Sequence, residues 1–167
     1  MVEQLDPHRL LARYTDGPIQ LSLALADLTD IALNVAQEPN TWTIRQFVHH
    51  LVDGDALWTT PIKIALGARH ATFDLKWYWT VPQDAWAERW KYSERPIAPS
   101  LALLIANRQH VAQLLHHSSQ WWNHSLTVEW PNGSQKHLTI ADMISIQADH
   151  VFAHLNDIQR IHETQSM

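Results

Sequence analysis

The stretch TIRQFVHHLVDGDALW, residues 43–58, decides the fold. Its apolar residues Ile44, Phe47, Val48, Leu51 and Trp58 fall on one stripe at about 100° per residue. TIRQ is a capping box: the Thr43 hydroxyl can accept from the Gln46 amide, and the Gln46 side chain can reach back. The spacing predicts a helix from Thr43 to about Leu66, closed by Gly67. Gly54 inside it is tolerated at some cost. His49 and His50 are adjacent, so at most one can look squarely into a shared site. His50 lies roughly 110° from the stripe centre and His49 roughly 150°. The wheel therefore sets His50 at the core boundary and His49 toward solvent.

Working outward, PIQLSLALADL (18–28) reads as an earlier helix, with Asp16 as N-cap and Pro18 in its first turn. The shorter TDIALNVA follows. ARHATFDLKWYWTV (68–81) has no helical period and reads as a loop, and PQDAWAERWKY (82–92) as a short helix opened by a proline. A third long helix spans about Ser100–His117. LTVEW alternates and PNG is a turn signal, so the segment before the last helix is an extended connection or small hairpin. The last helix starts at Thr139, with Asp142 completing a weaker capping pattern, and continues through Ile161. Four long amphipathic helices with a short extra helix and one long connection predict an all-α four-helix bundle, a single domain over residues 1–167.

Composition narrows the function. The chain is 46% hydrophobic and 17% charged, an ordinary globular balance, and its formal charge of -5 argues against a nucleic-acid-binding surface. It has no cysteine, which excludes disulfides, a thiolate nucleophile and a cysteine zinc site. That absence is compatible with a reducing cytoplasm. MVEQLDPHRLL lacks the order of a signal peptide, and no stretch is apolar enough to span a bilayer. Twelve histidines and nine tryptophans direct attention to metal or proton chemistry and to an aromatic pocket.

The last helix carries ADHVFAHLNDI, residues 148–158. His150 and His154 are spaced i, i+4 and share a face. Against the stripe Ile140, Ile144, Val151, Leu155 and Ile158, His154 lies roughly 50° from the centre and His150 at the edge. Two such imidazoles can share a metal at about 2.0–2.1 Å each. A third inward histidine would give a three-nitrogen site with open positions, the pattern of a catalytic metal. The plain alternative is that all three are packed core-edge residues. Arg108 falls in the middle of the third helix's stripe (Leu101, Leu104, Ile105, Val111, Ala112, Leu115), and Asp55 lies close to the stripe of the second. They form a buried ion pair, or Arg108 faces a pocket and holds an anionic group. Asp53, three residues after His50, could orient a metal ligand from behind, or it is a solvated or capping carboxylate. Trp42, Trp58, Trp86 and Trp90 read as mostly core, whereas Trp77, Tyr78 and Trp79 suggest a pocket lid or an oligomer surface. His116, His117, His124 and His137 read as surface residues.

WTIRQFVHHLVDGD, VPQDAWAERWKYSE, the helix opening SLALL and WPNGSQKHLTIADMISIQADHVFAHLNDI together resemble the DinB/YfiT-like superfamily, over about residues 16–162. The resemblance implies a four-helix bundle, commonly a homodimer, holding one divalent metal through three histidines. The metal would be nickel or zinc, with manganese a third candidate. Carried over by motif, the ligands are His50, the histidine directly before leucine, and the closing pair His150 and His154. Helical phase and resemblance thus choose the same member of the HH pair. Family relatives that use low-molecular-weight thiols imply a metal-dependent thiol S-transferase. A small-molecule thiol would attack an electrophilic substrate, with Asp53, Asp55 and Arg108 as second-shell or substrate-binding candidates. No membrane or nucleic-acid partner is implied. The alternatives are a metal-dependent hydrolase working through activated water and a non-catalytic metal-binding, stress-response bundle.

Overall fold

In the computed structural model, residues 6–68, 70–116 and 119–165 are described. Expectations for the first five residues and for His117 lie outside that set. The elements run α1 Pro7–Leu25, α2 Asp30–Leu33, α3 Ile44–Gly67, β1 Thr72–Asp74, α4 Lys76–Trp79, α5 Gln83–Arg89, α6 Ile97–His116, a 3-10 turn Ser119–Asn123, β2 Ser125–Glu129, β3 Gln135–Thr139 and α7 Ile140–Gln165. Helices α1, α3, α6 and α7 form the four-helix bundle. β1 pairs parallel with β2, and β2 antiparallel with β3, placing Leu126 opposite Leu138. This small sheet closes one end of the bundle, where Leu126, Val128 and Leu138 join the core formed by Trp58, Ile62, Val111 and Ile144. No helix among the described residues is long and apolar enough to cross a membrane.

Local chemistry sets the helix starts. Thr43 Oγ1 accepts from the Gln46 amide at 3.3 Å, and the Thr43 amide donates to Gln46 Oε1 at 2.9 Å, which completes the expected capping box. At α7 the Asp142 amide donates to Thr139 Oγ1 at 3.0 Å, and the Thr139 amide donates back to Asp142 Oδ2 at 2.9 Å. Each exchange satisfies two amides that a helix start leaves unpaired.

Three expectations need correction. The first helix begins at Pro7 under an Asp6 N-cap, so Pro18 lies inside it. An interior proline removes the bond to the carbonyl four residues earlier, here that of Tyr14. The Tyr14 carbonyl instead accepts from Arg108 Nη1 at 2.8 Å, so the group that Pro18 frees is used across the bundle. Residues 68–81 are not all loop: they contain β1 and α4. Their bonds are supplied by β2 and by local turns, so no period shows in the sequence. His49 does not face solvent; it is fully buried. Helix α3 is covered on two sides, and its second side, with Arg45 and Val52, packs under the segment leading into α6. His49 donates from Nε2 to the Arg95 carbonyl at 3.0 Å and accepts at Nδ1 from the Ser100 hydroxyl at 2.9 Å. The carbonyl can only accept, which fixes the tautomer.

Arg108 ties the four long helices together. Its Nε donates to Asp55 Oδ1 on α3 at 2.8 Å, Nη1 to the Tyr14 carbonyl on α1, and Nη2 to the Gln147 carbonyl on α7 at 2.7 Å. Its guanidinium carbon sits 4.3 Å from the centre of the Tyr14 ring. Gly17 leaves room for this approach: a Cβ there would come within 3.3 Å of Arg108 Nη1 and 3.2 Å of Val151 Cγ1. Arg108→Met should lower the unfolding free energy by about 3–5 kcal/mol in urea denaturation, because the Asp55 carboxyl is left buried without its partner. Adding Asp55→Leu should recover part of that loss. A single-variant loss under about 1 kcal/mol would show that the clamp does not hold the bundle.

Candidate metal centre

Helix α3 contributes His50, and one turn of α7 contributes His150 and His154. Their Nε2 atoms converge: His50 to His150 at 3.0 Å and His154 to His150 at 3.1 Å. Among the described residues this is the one group of three histidine or carboxylate side chains whose ligand atoms approach closely enough to share an ion. Two nitrogens each about 2.0–2.1 Å from one metal, at right to tetrahedral angles, lie roughly 2.9–3.4 Å apart. Both contacts fall inside that range.

The rings are held from behind. Asp157 Oδ2 accepts from His154 Nδ1 at 3.1 Å, which puts the ring proton on Nδ1 and leaves the Nε2 lone pair aimed at the cluster. Trp42 meets the His50 ring edge-on at 4.8 Å, and Phe47 lies 4.9 Å from the His154 ring. Burial pushes the His50 imidazole down to about 3, helped by the neighbouring His150 and His154. Burial, with His154 and Arg108, pushes His150 down to about 4. Both rings are therefore neutral at pH 7, the state in which imidazole binds a metal.

One side of the cluster opens on a cavity of about 180 Å³, lined by His50 and His150, by Gly54, Leu57 and Trp58 of α3, and by Leu75, Tyr78, Trp79 and Gln83. A separate cleft of about 340 Å³ beside the hairpin is lined by His70, His124 and His137. Those three do not converge on a common point.

A family model described as the DinB superfamily matches residues 2–158. The chain belongs to the DinB superfamily. A protein of Halalkalibacterium halodurans is 28% identical over 159 residues, covering 95% of this chain and 88% of that one. One of Bacillus cereus is 27% identical over 146 residues, covering 87% and 80%. Both carry the name "Putative metal-dependent hydrolase". Among solved structures, YfiT from Bacillus subtilis superposes with a TM-score of 0.83 at 20% identity, covering 99% of this chain and 93% of that one. It is described as "a probable metal-dependent hydrolase with an unusual four-helix bundle topology". A mycothiol-dependent maleylpyruvate isomerase matches with a TM-score of 0.66 at 14% identity, and 61% of its length is covered. These likenesses establish the DinB bundle as the fold.

Within that bundle the structure gathers His50, His150 and His154 and separates the other candidates from them. Arg108 and Asp55 pair with each other in the clamp. Asp53 Oδ2 lies 3.6 Å from Arg95, and the Tyr92 hydroxyl is pushed up by its burial and then by the Asp53 charge. His50 Nδ1 is buried without a partner, so no carboxylate orients that ring. Sequence reasoning missed Asp157, although its i+3 spacing from His154 was visible. It also missed Gln83 and the floor formed by Gly54, because α4 and α5 reach the site only through the fold. Of the aromatic run, Tyr78 is buried in the cavity wall, while Trp77 and Trp79 are about half exposed.

Two outcomes follow from this geometry. After chelation, the protein should lose stability as the pH falls from about 6.5 toward 4. The unfolded chain then takes up protons that His50 and His150 refuse in the fold, so stability rises with pH in that window. Urea midpoints from pH 4 to 8 test this, and a His50→Asn, His150→Asn double variant should flatten the slope. His49→Ala should cost about 1–3 kcal/mol in the same assay, because it strands the Ser100 hydroxyl and the Arg95 carbonyl. No measurable loss would contradict the buried role of His49.

Proposed function

We propose that His50, His150 and His154 hold one divalent metal ion and that the protein is a metal-dependent enzyme acting on a small molecule in the adjoining cavity. The observation that carries this is the convergence of three partly buried imidazoles, His50, His150 and His154, on a point that opens onto an apolar cavity. A structural site would use four protein ligands and close itself off. Three ligands leave positions for a reactant. When bound, the metal supplies Lewis acidity, which lowers the pKa of a coordinated thiol or water.

The reading we favour is transfer of a low-molecular-weight thiol to an electrophile. None of the described residues lining the cavity is a carboxylate or a lysine. A thiol, already acidic near neutral pH, needs no base beside it, whereas water is helped by one. The fold is shared with a mycothiol-dependent isomerase, which is consistent with a thiol partner. Hydrolysis is the second reading, supported by the names of the curated relatives. In either case this chain's residues do the same work. His154, backed by Asp157, and His50, packed by Trp42, fix the metal's position, and the aromatic walls exclude water. Nickel and zinc suit imidazole ligands. A homodimer belongs to the same proposal, with Ile19 and Leu23 exposed one turn apart on α1 as apolar surface.

Metal content by mass spectrometry on untagged protein tests the site. About one divalent ion per chain is expected, retained in His49→Ala. It should fall at least tenfold in His50→Ala and His154→Ala, with helical circular dichroism near wild type. Full metal content in either ligand variant would overturn the assignment.

A further inference from the structure

The cavity beside the histidines has a polar feature that the metal does not use. Tyr78 donates its hydroxyl proton to Gln83 Oε1 at 2.8 Å. That bond fixes the amide, and Gln83 Nε2 is left buried without a hydrogen-bond partner. An unpaired buried donor costs about 1–3 kcal/mol, so it marks a place where a ligand atom belongs. Nε2 can only donate. The atom it wants is therefore an acceptor, such as a carbonyl oxygen.

The rest of the wall describes the body that carries this oxygen. Trp58, Tyr78 and Trp79 present aromatic surface, and Leu57 and Leu75 present aliphatic surface. Aromatic walls favour stacked or edge-on rings. Among the described residues no Lys, Arg, Asp or Glu lines the cavity, so they offer nothing to a second charge. A volume of about 180 Å³ suits one ring with a short substituent; an apolar cavity of about 150 Å³ holds a benzene. Gly54 makes part of this space. A Cβ there would meet His150 Cε1 at an ordinary 3.6 Å, so backbone crowding does not require the glycine. A glycine in mid-helix costs about 1 kcal/mol. Its absent side chain keeps the floor open between the imidazoles and the aromatic wall.

We propose that Gln83 is a specificity-determining residue and that the substrate is a small, neutral aromatic electrophile whose carbonyl oxygen accepts from Gln83 Nε2 while its ring lies against Trp58, Tyr78 and Trp79. This names the substrate class of the metal site and rests on the metal-enzyme reading only for calling the ligand a substrate. Gln83 acts by holding the carbonyl in a fixed direction. The hydrogen bond also draws electron density from the carbonyl carbon; attack there by a nucleophile from the histidine side forms one bond to carbon and breaks the C=O π bond, whose pair goes to the oxygen that Gln83 Nε2 holds.

The test compares acetophenone with ethylbenzene, nearly equal in shape and different in the acceptor. Both are titrated into nickel- or zinc-loaded protein and followed by the indole resonances of Trp58 and Trp79. Wild type should bind acetophenone about tenfold more tightly. Gln83→Met should bring the two affinities within twofold. Gln83→Glu keeps an acceptor for Tyr78 but turns an acceptor toward the ligand, so acetophenone should become the weaker of the two. Equal binding of both probes by wild type, binding of neither, or a preference for acetophenone that both variants retain would overturn the proposal. A retained preference would place the oxygen elsewhere, on the metal included. Metal content read on the same samples separates the two proposals. A Gln83-dependent preference in protein that takes up no metal would sink the metal reading alone. Metal-loaded protein with no such preference would sink this one alone.

Discussion

A single guanidinium in the bundle interior fixes the relation among all four long helices. Arg108 reaches a carboxylate on α3, a carbonyl on α1 and another on α7, and it lies over the Tyr14 ring. Such a group is a poor source of net stability, since its desolvation offsets most of what its bonds return. It is a strong source of uniqueness. Sliding α1 or α7 by one turn would strip the buried guanidinium of one of its three acceptors, whereas the leucine and isoleucine contacts around it could be remade in another register. Pro18 and Gly17 belong to the same arrangement. One frees the carbonyl that Arg108 takes, and the other removes the Cβ that would stand in its way.

The histidine cluster inherits its geometry from this clamp. Asp55 lies five residues after His50 on α3, and Gln147 lies three residues before His150 on α7. The two helices that carry imidazoles are thus pinned within about one and a half turns of them. The rings then need only local support, which Asp157, Trp42 and Phe47 supply. The cavity has a different origin. Its floor is α3, but its walls come from α4 and the start of α5, held by the Tyr78–Gln83 bond and by stacking of Tyr78 on Trp86.

The long helices were legible because amphipathic periodicity and capping both act locally: Thr43 with Gln46 and Thr139 with Asp142 marked two starts. The histidine pair on α7 was legible for the same reason, through its i, i+4 spacing. What failed was whatever depended on a neighbour. Pro18 looked like a first-turn residue because nothing nearby in sequence reveals that Arg108 will take the Tyr14 carbonyl. His49 looked solvent-facing because the wheel assumed one buried stripe. Helix α3 has two, the second covered by the segment from Tyr92 to Ser100. Phase alone therefore could not exclude His49 from the interior; it turns inward to a different set of partners. The ion pair between Arg108 and Asp55 was one of two readings left open, and geometry on four separate helices was needed to select it.

The clamp that joins the four long helices is made wholly of protein atoms. This differs from small zinc domains, in which binding and folding are one event. Here the three imidazoles already converge within the folded chain. His50, His150 and His154 take no part in that clamp. Architecture and reactivity are inherited separately in this chain. A bundle built this way can pass through inactive forms during its evolution, remain folded throughout, and later acquire a different reaction at the same end.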